Sequence, residues 1–320
     1  MKIKKHFYSA MILFFSSAAL FAQNTWPTKA IKIIVPYPAG GPVDQLARTI
    51  APKLGEVLGQ AIILDNKAGA SGTIGLDAAI RADPDGYTFG FGIPGAIAVL
   101  PHLQKVPYNV DEINYVSVVA KVPQVIAVSS KKGLSTLAEV IALAKKEPNK
   151  LNYASAGNVT TPHLGSELLS QEAGIKMTHV AYKGAAPAVT ALLAGEVDLI
   201  SADLPAVLQF EGKGIKILAV STLKRIDSLP AVPTTLELGY PGVYVESYYG
   251  LIAPTALPAA INQKMRDALF TTLNNAAIKH QIVTQGAFAY PSSGDEYKKL
   301  MQQESIKWAQ VLKRGQITLE

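Results

Sequence analysis

Residues 182–201, YKGAAPAVTALLAGEVDLIS, predict a loop, a helix and a buried strand in direct succession. Tyr182–Gly184 begin the loop, and Pro187 falls in the first helical turn, where proline is tolerated. Apolar residues then recur at helical spacing until Gly195 ends the helix, and Val197–Ser201 has the character of a short strand. The start of such a helix presents unpaired N–H groups and a positive dipole end, which favour an anion. No catalytic group is evident in this stretch, so it indicates binding rather than catalysis.

Strand-like and helix-like segments alternate on both sides of this stretch, which is typical of an α/β protein with mostly parallel sheets flanked by helices. Helical periodicity over Asp44–Gly59 predicts a helix that Pro52 should kink or divide. Further along, Tyr115–Val119 and Val125–Ser129 predict two separate strands. The other predicted strands outside the opening stretch are Ile31–Tyr37, Ala61–Leu64, Tyr87–Gly92 and Tyr248–Ala253, and further helices are predicted near Ala259–Asn275 and Gly294–Lys313.

The first 22 residues have the features of an export signal. Basic residues precede an apolar run, Ala10–Ala22, that is too short to span a bilayer comfortably. We therefore expect a Sec signal peptide cleaved near Ala22 and a protein released into the periplasm; an uncleaved membrane anchor is the alternative. Cleavage would remove three lysines and no acidic residue, which lowers the formal net charge from +6 to +3.

The composition narrows the range of functions. The chain has no cysteine, which excludes disulfides, thiolate catalysis and a lipid anchor on an N-terminal cysteine. It has no polybasic tract of the kind that binds nucleic acid. Because 49% of the residues are apolar and only 17% are charged, a large core is available. The roughly 300 residues left after cleavage exceed one comfortable core and suggest two lobes.

Five segments resemble a known family when they are taken in order. They are PYPAGGPVDQLAR (36–48), GASGTIGLDAAIRADPDGYT (69–88), SAGNVTTPHLGSELL (155–169), HVAYKGAAPAVTALLAGEVDL (179–199) and LPAVPTTLELGYPG (229–242). Together they resemble the Bug-type substrate-binding proteins of tripartite tricarboxylate transporters. The first loop departs from the family pattern, because Ala39 stands where a second proline is common and Pro42 follows the glycines.

The resemblance implies a two-lobed periplasmic-binding-protein fold, type II-like, that closes on a small carboxylate. Lobe 1 would comprise residues 23–121 and 223–320, and lobe 2 would comprise residues 122–222, with the ligand cleft between them. The expected partners are integral-membrane transporter subunits and a small carboxylate, which could be a dicarboxylate, a tricarboxylate, an amino acid or an aromatic acid. We expect a monomer with no cofactor, no metal and no nucleic acid.

Four glycine-containing turns are the candidate binding elements, because open α/β sheets bind ligands beyond the carboxyl ends of their strands. They are Tyr37–Val43, Gly92–Ala98, Ser155–His163 and Tyr182–Pro187. Lys183 is the only lysine or arginine among them, so the hypothesis is a carboxylate held by backbone amides, hydroxyls and bridging waters. The candidate ligand-binding residues are Tyr37, Ala39, Gly40, Gly41, Val43, Gly92, Pro94, Ser155, Gly157, Thr160, Thr161, His163, Tyr182, Lys183, Gly184, Ala185 and Asp203.

The sequence leaves several alternatives open. Asp203 could contact the ligand or could cap the next helical segment. His163 could serve a hydrolase, although neither an oriented base nor a third supporting group is evident. A closed receptor could also engage a membrane sensor kinase instead of a transporter. The segment GASGTIG (69–75) lacks the Gly-Lys-Ser/Thr ending of a phosphate-binding loop and is interpreted as a packing turn.

Overall fold

Strands and helices alternate through residues 26–319, the part of the chain that the computed structural model describes. This arrangement confirms the predicted α/β class; the predicted signal peptide, residues 1–22, lies outside the described residues. The strands are β1 (Ile31–Val35), β2 (Ile62–Asn66), β3 (Thr88–Gly92), β4 (Asn114–Ser129), β5 (Asn152–Ser155), β6 (Thr178–Ala181), β7 (Leu199–Asp203), β8 (Ile215–Val220), β9 (Glu246–Ala253) and β10 (Phe288–Ala289). The helices are α1 (Pro42–Leu58), α2 (Thr73–Ile80), α3 (Leu137–Lys146), α4 (Thr161–Ala173), α5 (Ala185–Ala194), α6 (Leu204–Val207), α7 (Ala259–Asn274), α8 (Ala276–Thr284) and α9 (Gly294–Gly315).

One long strand, β4, belongs to both sheets. The sequence predicted two strands here, Tyr115–Val119 and Val125–Ser129, and that prediction is wrong because the backbone keeps pairing through the interval between them. Up to Pro123, β4 pairs with β9, and from Gln124 onward it pairs with β7 and β8. In the sequence, Lys121, Pro123 and Gln124 separate two apolar runs and therefore predict a break between two strands. In the structure, the neighbouring strands supply the hydrogen-bond partners that keep the backbone extended through these residues.

The pairing within the sheets is more mixed than expected. The first sheet has the order β2-β1-β3-β9-β4, and the second has the order β4-β7-β5-β6 with β8 also beside β4. The outer strands of each sheet run parallel, as the predicted class requires. The pairs that involve β4 or β9 are antiparallel. The carboxyl ends of β1, β5, β6 and β7 lead into the turns and helix starts described below.

α1 continues through Pro52 as one helix, so the predicted division does not occur. Proline removes one backbone donor and crowds the preceding turn. That penalty is offset here because Leu46, Ile50 and Leu54 bury the inner face of the helix against the core. The helix ends at Gly59, whose φ of +72° suits glycine.

The apolar core is divided between a large cluster and a smaller one. The large cluster extends from the first sheet under α9 to the face of α4, and the smaller cluster lies beneath α5, β7 and β8. Ile226 and Leu229 pack in the smaller cluster, although the sequence assigned residues from 223 onward to the first lobe. Within residues 26–319, no helix is both long and apolar enough to cross a membrane.

Candidate functional site

A small cavity lies where the starts of α1, α4 and α5 approach the carboxyl end of β7. Its floor includes Tyr249 on β9, so both sheets contribute to it. The cavity volume is about 40 Å³. The lining residues are Tyr37–Ala39, Gly41–Val43, Pro94, Gly95, Ala156, Thr160–Pro162, Gly184–Pro187, Ile200, Ala202, Asp203 and Tyr249.

The turn between β1 and α1 is held in place by a buried carboxylate. Asp44 Oδ2 accepts hydrogen bonds from the Gly40 backbone N–H and from Arg48 Nε, each at 2.8 Å, and Oδ1 accepts one from Asn66 Nδ2 at 3.0 Å. Burial acts to raise the pKa of Asp44, but these hydrogen bonds and the Arg48 charge outweigh it and hold the pKa below its usual value. Asn66 Nδ2 also donates to the carbonyl of Tyr37 at 3.0 Å. The turn is therefore fixed at both of its ends.

α1 begins directly at the cavity. Gly40 has a φ of +85°, which glycine adopts without strain, and Gly41 occupies the N-cap position without a capping side chain. Pro42 starts the helix and has no N–H, so the adjoining backbone amides are those of Gly41 and Val43. First-turn amides have no carbonyl partner inside their own helix and carry the positive end of its dipole.

The loop before α4 is held by a neutral histidine. Val159 has a φ of +53°, which is strained for a β-branched side chain, and its N–H donates to His163 Nδ1 at 3.1 Å. Burial, together with His179, lowers the pKa of His163 to about 3, so its ring stays uncharged and can accept this bond. The two imidazole rings stack with centroids 4.0 Å apart. This support presents Thr160 and Thr161 to the cavity.

The turn before α5 forms the third wall. Gly184 is the N-cap residue with a φ of +112°, and its N–H donates to the carbonyl of Ala156 at 3.1 Å. A Cβ atom at Gly184 would lie 3.3 Å from Pro38 Cγ, so turns that follow strands of the two different sheets meet closely here. Ala185–Pro187 line the cavity and form the first turn of α5.

Asp203 forms part of the cavity floor at the end of β7. It is 4% exposed, and its carboxylate accepts hydrogen bonds from Ser247 Oγ at 2.8 Å and from Tyr249 Oη. Burial raises the pKa of Asp203 to about 6, although these hydrogen bonds oppose the shift. Burial, and then the Asp203 charge, also raise the pKa of the Tyr37 hydroxyl above its ordinary value. Asp203 occupies the N-cap position of α6, as the helix-cap alternative predicted, but its side chain makes no capping hydrogen bond among the described residues.

The electrostatics of the cavity favour an anion without basic side chains. Within the described part of the chain, neither lysine nor arginine lines the cavity, and Lys183 is exposed. The starts of α1, α4 and α5 each carry the equivalent of about half a positive charge. The hydroxyls of Tyr37 and Thr161 add donors, whereas the Thr160 hydroxyl donates to the Gly157 carbonyl at 2.8 Å.

Many of the residues proposed from the sequence come together in this cavity, although ligand contact stays a prediction for each of them. Those in the lining are Tyr37, Ala39, Gly41, Val43, Pro94, Thr160, Thr161, Gly184, Ala185 and Asp203. Those outside it are Gly40, Gly92, Ser155, Gly157, His163, Tyr182 and Lys183.

Several of the residues outside the lining make other contacts. Gly92 packs against Tyr297, whose hydroxyl donates to the Gly92 carbonyl at 3.0 Å. Ser155 is fully buried; its Oγ lies 2.7 Å from His179 Nε2 and accepts from the Gly157 N–H at 3.1 Å. Tyr182 packs on the smaller apolar cluster. These residues support the turns and do not face the cavity.

Sequence reasoning missed Tyr249, which lies in the cavity floor, and Ser247, which supports the floor through its hydrogen bond to Asp203. Both lie on β9, which is buried on both of its faces from Ser247 onward. Alternation of polar and apolar residues therefore gives no signal for the face that meets a ligand. The only sequence signal that could have identified them is the presence of hydroxyl groups in an otherwise apolar strand.

The geometry gives no support to the hydrolase alternative. His163 accepts the Val159 N–H through Nδ1, and none of His163, Ser155 and His179 lines the cavity. The sequence model of the family described as the tripartite tricarboxylate transporter family receptor matches residues 46–317. The chain therefore belongs to the family of tripartite tricarboxylate transporter receptors, as the resemblance to Bug-type proteins indicated.

Solved structures of similar proteins have the same fold. A protein of R. palustris with adipate is 32% identical, with a TM-score of 0.88 over 92% of this chain and 99% of the other. MatC from Rhodopseudomonas palustris with bound malate is 27% identical, with a TM-score of 0.84 over 90% of this chain and 100% of the other. The periplasmic binding protein BugD is 29% identical, with a TM-score of 0.86 over 92% of this chain and 100% of the other.

Proposed function

We propose that this receptor captures a small carboxylate in the cavity described above and presents it to integral-membrane transporter subunits. The observation that carries the proposal is the convergence of three helix starts on a cavity lined by Tyr37, Thr160 and Thr161 but by no basic side chain of the described residues. Helix starts stabilise negative charge through their amides and dipoles. Adipate and malate, the acids bound by two similar proteins, support the same ligand class.

Backbone amides and hydroxyls suffice for useful affinity. A hydrogen bond to a charged group contributes about 1.5–3 kcal/mol net. Four or five such bonds would support micromolar binding after the unfavourable entropy of association and ordering is included. The proposed direct contacts are the amides of Gly41 and Val43, the hydroxyls of Tyr37 and Thr161, and the amide of Ala185.

We propose that the ligand closes two lobes, residues 23–121 with 223–320 and residues 122–222. Support comes from β4, which exchanges β9 for β7 between Pro123 and Gln124. Such an exchange allows the two halves of a shared strand to bend relative to one another. A ligand that binds the closed form better than the open form would shift the population towards closure.

We also propose that the mature protein is a periplasmic monomer released by cleavage near Ala22. BugD, a similar protein, is a periplasmic binding protein, which supports this location. The closed form would be the one that the membrane subunits recognise. Ligand-dependent co-purification with those subunits tests this part of the proposal, and equal retention with and without ligand would contradict it.

Isothermal titration of the purified mature protein tests the ligand class. The panel is succinate, malate, adipate, citrate, aspartate, glutamate and nicotinate, each paired with its uncharged amide where one exists. We expect at least one acid to bind with a dissociation constant of about 10 μM or below, and its amide to bind at least about tenfold more weakly. Absence of binding by every acid, or equal binding of an acid and its amide, would contradict the proposal.

A further inference from the structure

Gln124 lies where the two proposed lobes are joined. The chain passes between them at Gln124 in β4, at Ser221 after β8 and at Val245 before β9. The Gln124 N–H donates to the Val245 carbonyl at 3.3 Å, the Ser221 N–H to the Gln124 carbonyl at 2.8 Å, and the Val245 N–H to the Ser221 carbonyl at 2.9 Å. The three crossings are therefore hydrogen-bonded to one another, and Gln124 belongs to the junction about which the lobes would bend.

The side chain of Gln124 connects this junction with the walls of the cavity. It is fully buried, and its Oε1 accepts a hydrogen bond from Ser201 Oγ at 2.9 Å. A Cβ atom on Gly165 of α4 would lie 2.6 Å from the same Oε1, so the amide packs between β7 and α4. These two elements carry Asp203 and Thr161, which line the cavity.

The amide nitrogen of Gln124 has no hydrogen-bond partner among the described residues. Asp203 is its neighbour, because the two residues are paired across β4 and β7. Burial raises the pKa of Asp203, and the Gln124 amide is one of the groups that oppose this shift, so the side chains approach one another without completing a hydrogen bond. A buried donor that is left unpaired is unfavourable.

The Asp203 carboxylate is held instead by hydroxyls of the other lobe. Ser247 Oγ donates to Oδ1 at 2.8 Å, and Tyr249 Oη donates to Oδ2. Asp203 belongs to the proposed lobe 2, whereas both hydroxyls belong to lobe 1. Turns of the two lobes meet at Pro38 and Gly184, so this is the closed arrangement. Opening would draw the two hydroxyls away from the carboxylate.

We propose that Asp203 exchanges hydrogen-bond partners when the lobes move, and that Gln124 is the positioning residue that holds the ligand-free receptor open. In the closed form Asp203 accepts from Ser247 and Tyr249, and in the open form it accepts from Gln124 Nε2. The inference rests on the closure proposed above. Closure leaves Nε2 unpaired, and the free energy of ligand binding offsets this loss. An empty receptor that stays open does not compete with the loaded one for the membrane subunits.

Spin labels on the two lobes measure the closed fraction. The chain has no cysteine, so Ile63→Cys and Thr178→Cys, at exposed positions of the edge strands β2 and β6, carry the only labels. Double electron–electron resonance gives the ratio of closed to open molecules from the shorter and longer label distances. Gln124→Met, which removes the unpaired donor, should raise this ratio in the ligand-free protein at least about fivefold. Acid should then bind at least about threefold more tightly.

Ser247→Ala should act in the opposite direction, because it removes a partner that Asp203 has only in the closed form. The closed fraction of the ligand-free protein should fall, and acid should bind about threefold more weakly, although Ser247 does not line the cavity. A purely structural role for both buried residues would instead weaken binding in both variants.

Two serine variants serve as controls. Ser201→Ala removes the hydrogen bond to Gln124 Oε1 but keeps the amide donor, and Ser117→Ala removes a buried hydroxyl whose partners, Val118 and Ser292, both lie in lobe 1. Both variants should keep the wild-type closed fraction. If Gln124→Met does not fold, Gln124→Leu, which also lacks the donor, takes its place.

An unchanged or lower closed fraction in the folded Gln124 variant would overturn the proposal, and so would an unchanged closed fraction in Ser247→Ala. Absence of binding by every acid would instead refute the proposed function. The label distances of the ligand-free Gln124 and Ser247 variants would still decide this inference.

Discussion

Asp203 opposes folding at neutral pH because its charge is buried. Its contacts with Ser247 and Tyr249 offset part of the desolvation, but the pKa still rises from the ordinary 3.8 to about 6. The native protein therefore holds the Asp203 proton more tightly than the unfolded chain does. Such a group is typical of a site where a ligand completes the electrostatics.

Asp203→Asn should stabilise the ligand-free protein at pH 7.5 by an amount on the order of 2 kcal/mol. For wild type, the stabilisation by protonated Asp203 is fully present below pH 3.8 and is lost as the pH rises through about 6. The variant lacks this titration, so the difference in unfolding free energy should disappear near pH 4. Denaturant unfolding of both proteins from pH 4 to 8 measures this difference in unfolding free energy. A variant that is less stable than wild type at pH 7.5, with a parallel pH profile, would contradict this interpretation.

The turns of the site could be predicted from sequence because their signals are local. Gly40, Gly184 and Pro42 have conformational preferences that hold in any fold. The role of Asp203 depends on Tyr249, which is distant in sequence and lies on a strand buried on both faces. The sequence predicted that Asp203 lies near the cleft but could not distinguish ligand contact from a helix cap.

At the scale of elements, helix starts were easier to predict than strand continuity. Helix α5 begins within three residues of Tyr182 and ends before Gly195, as the pattern indicated. The single strand β4 was missed, because its pairing with β9, β7 and β8 is set by tertiary contacts and not by the residues between its apolar runs. The same limit explains why the exchange of strand partners near Pro123 and Gln124 could not be located from sequence.

The start of α5 depends on glycine at position 184. Gly184→Ala adds a Cβ where φ is +112° and where Pro38 Cγ is 3.3 Å away. We expect at least about a tenfold loss of ligand affinity, since both the backbone strain and the contact disturb the turn. Titration calorimetry with the tightest-binding acid measures the affinity of the variant and of wild type. The control Gly212→Ala also has a positive φ, +71°, but no atom within 4 Å, so it should lose stability and not affinity. Equal affinities of Gly184→Ala and wild type would count against a ligand contact at this turn.

At the scale of the whole molecule, the two sheets also meet outside the cavity. Ser71, in the turn before α2, donates through Oγ to the carbonyl of Asn158 at 2.9 Å. Asn158 lies in the loop that leads to α4, so the hydrogen bond links the two proposed lobes. The segment interpreted from sequence as a packing turn thus also contacts the loop proposed to bind the ligand.

Ser71→Ala should weaken ligand binding by about fivefold, because closure would lose one hydrogen bond with a net contribution of about 1 kcal/mol. The loss should come from faster ligand release, which stopped-flow fluorescence measures. Ser228→Ala, at an exposed position, is the control and should behave as wild type. An unchanged release rate in Ser71→Ala would show that this contact does not stabilise the closed form.

A crystal structure of the protein with its tightest-binding acid tests the central claim most directly. We predict carboxylate oxygens within hydrogen-bond distance of the first-turn amides of α1, α4 or α5, with Thr161 and Tyr37 as further donors. We also predict no arginine or lysine side chain in contact with those oxygens. An acid bound outside this cavity, or one whose carboxylate is held mainly by a basic side chain, would contradict the account.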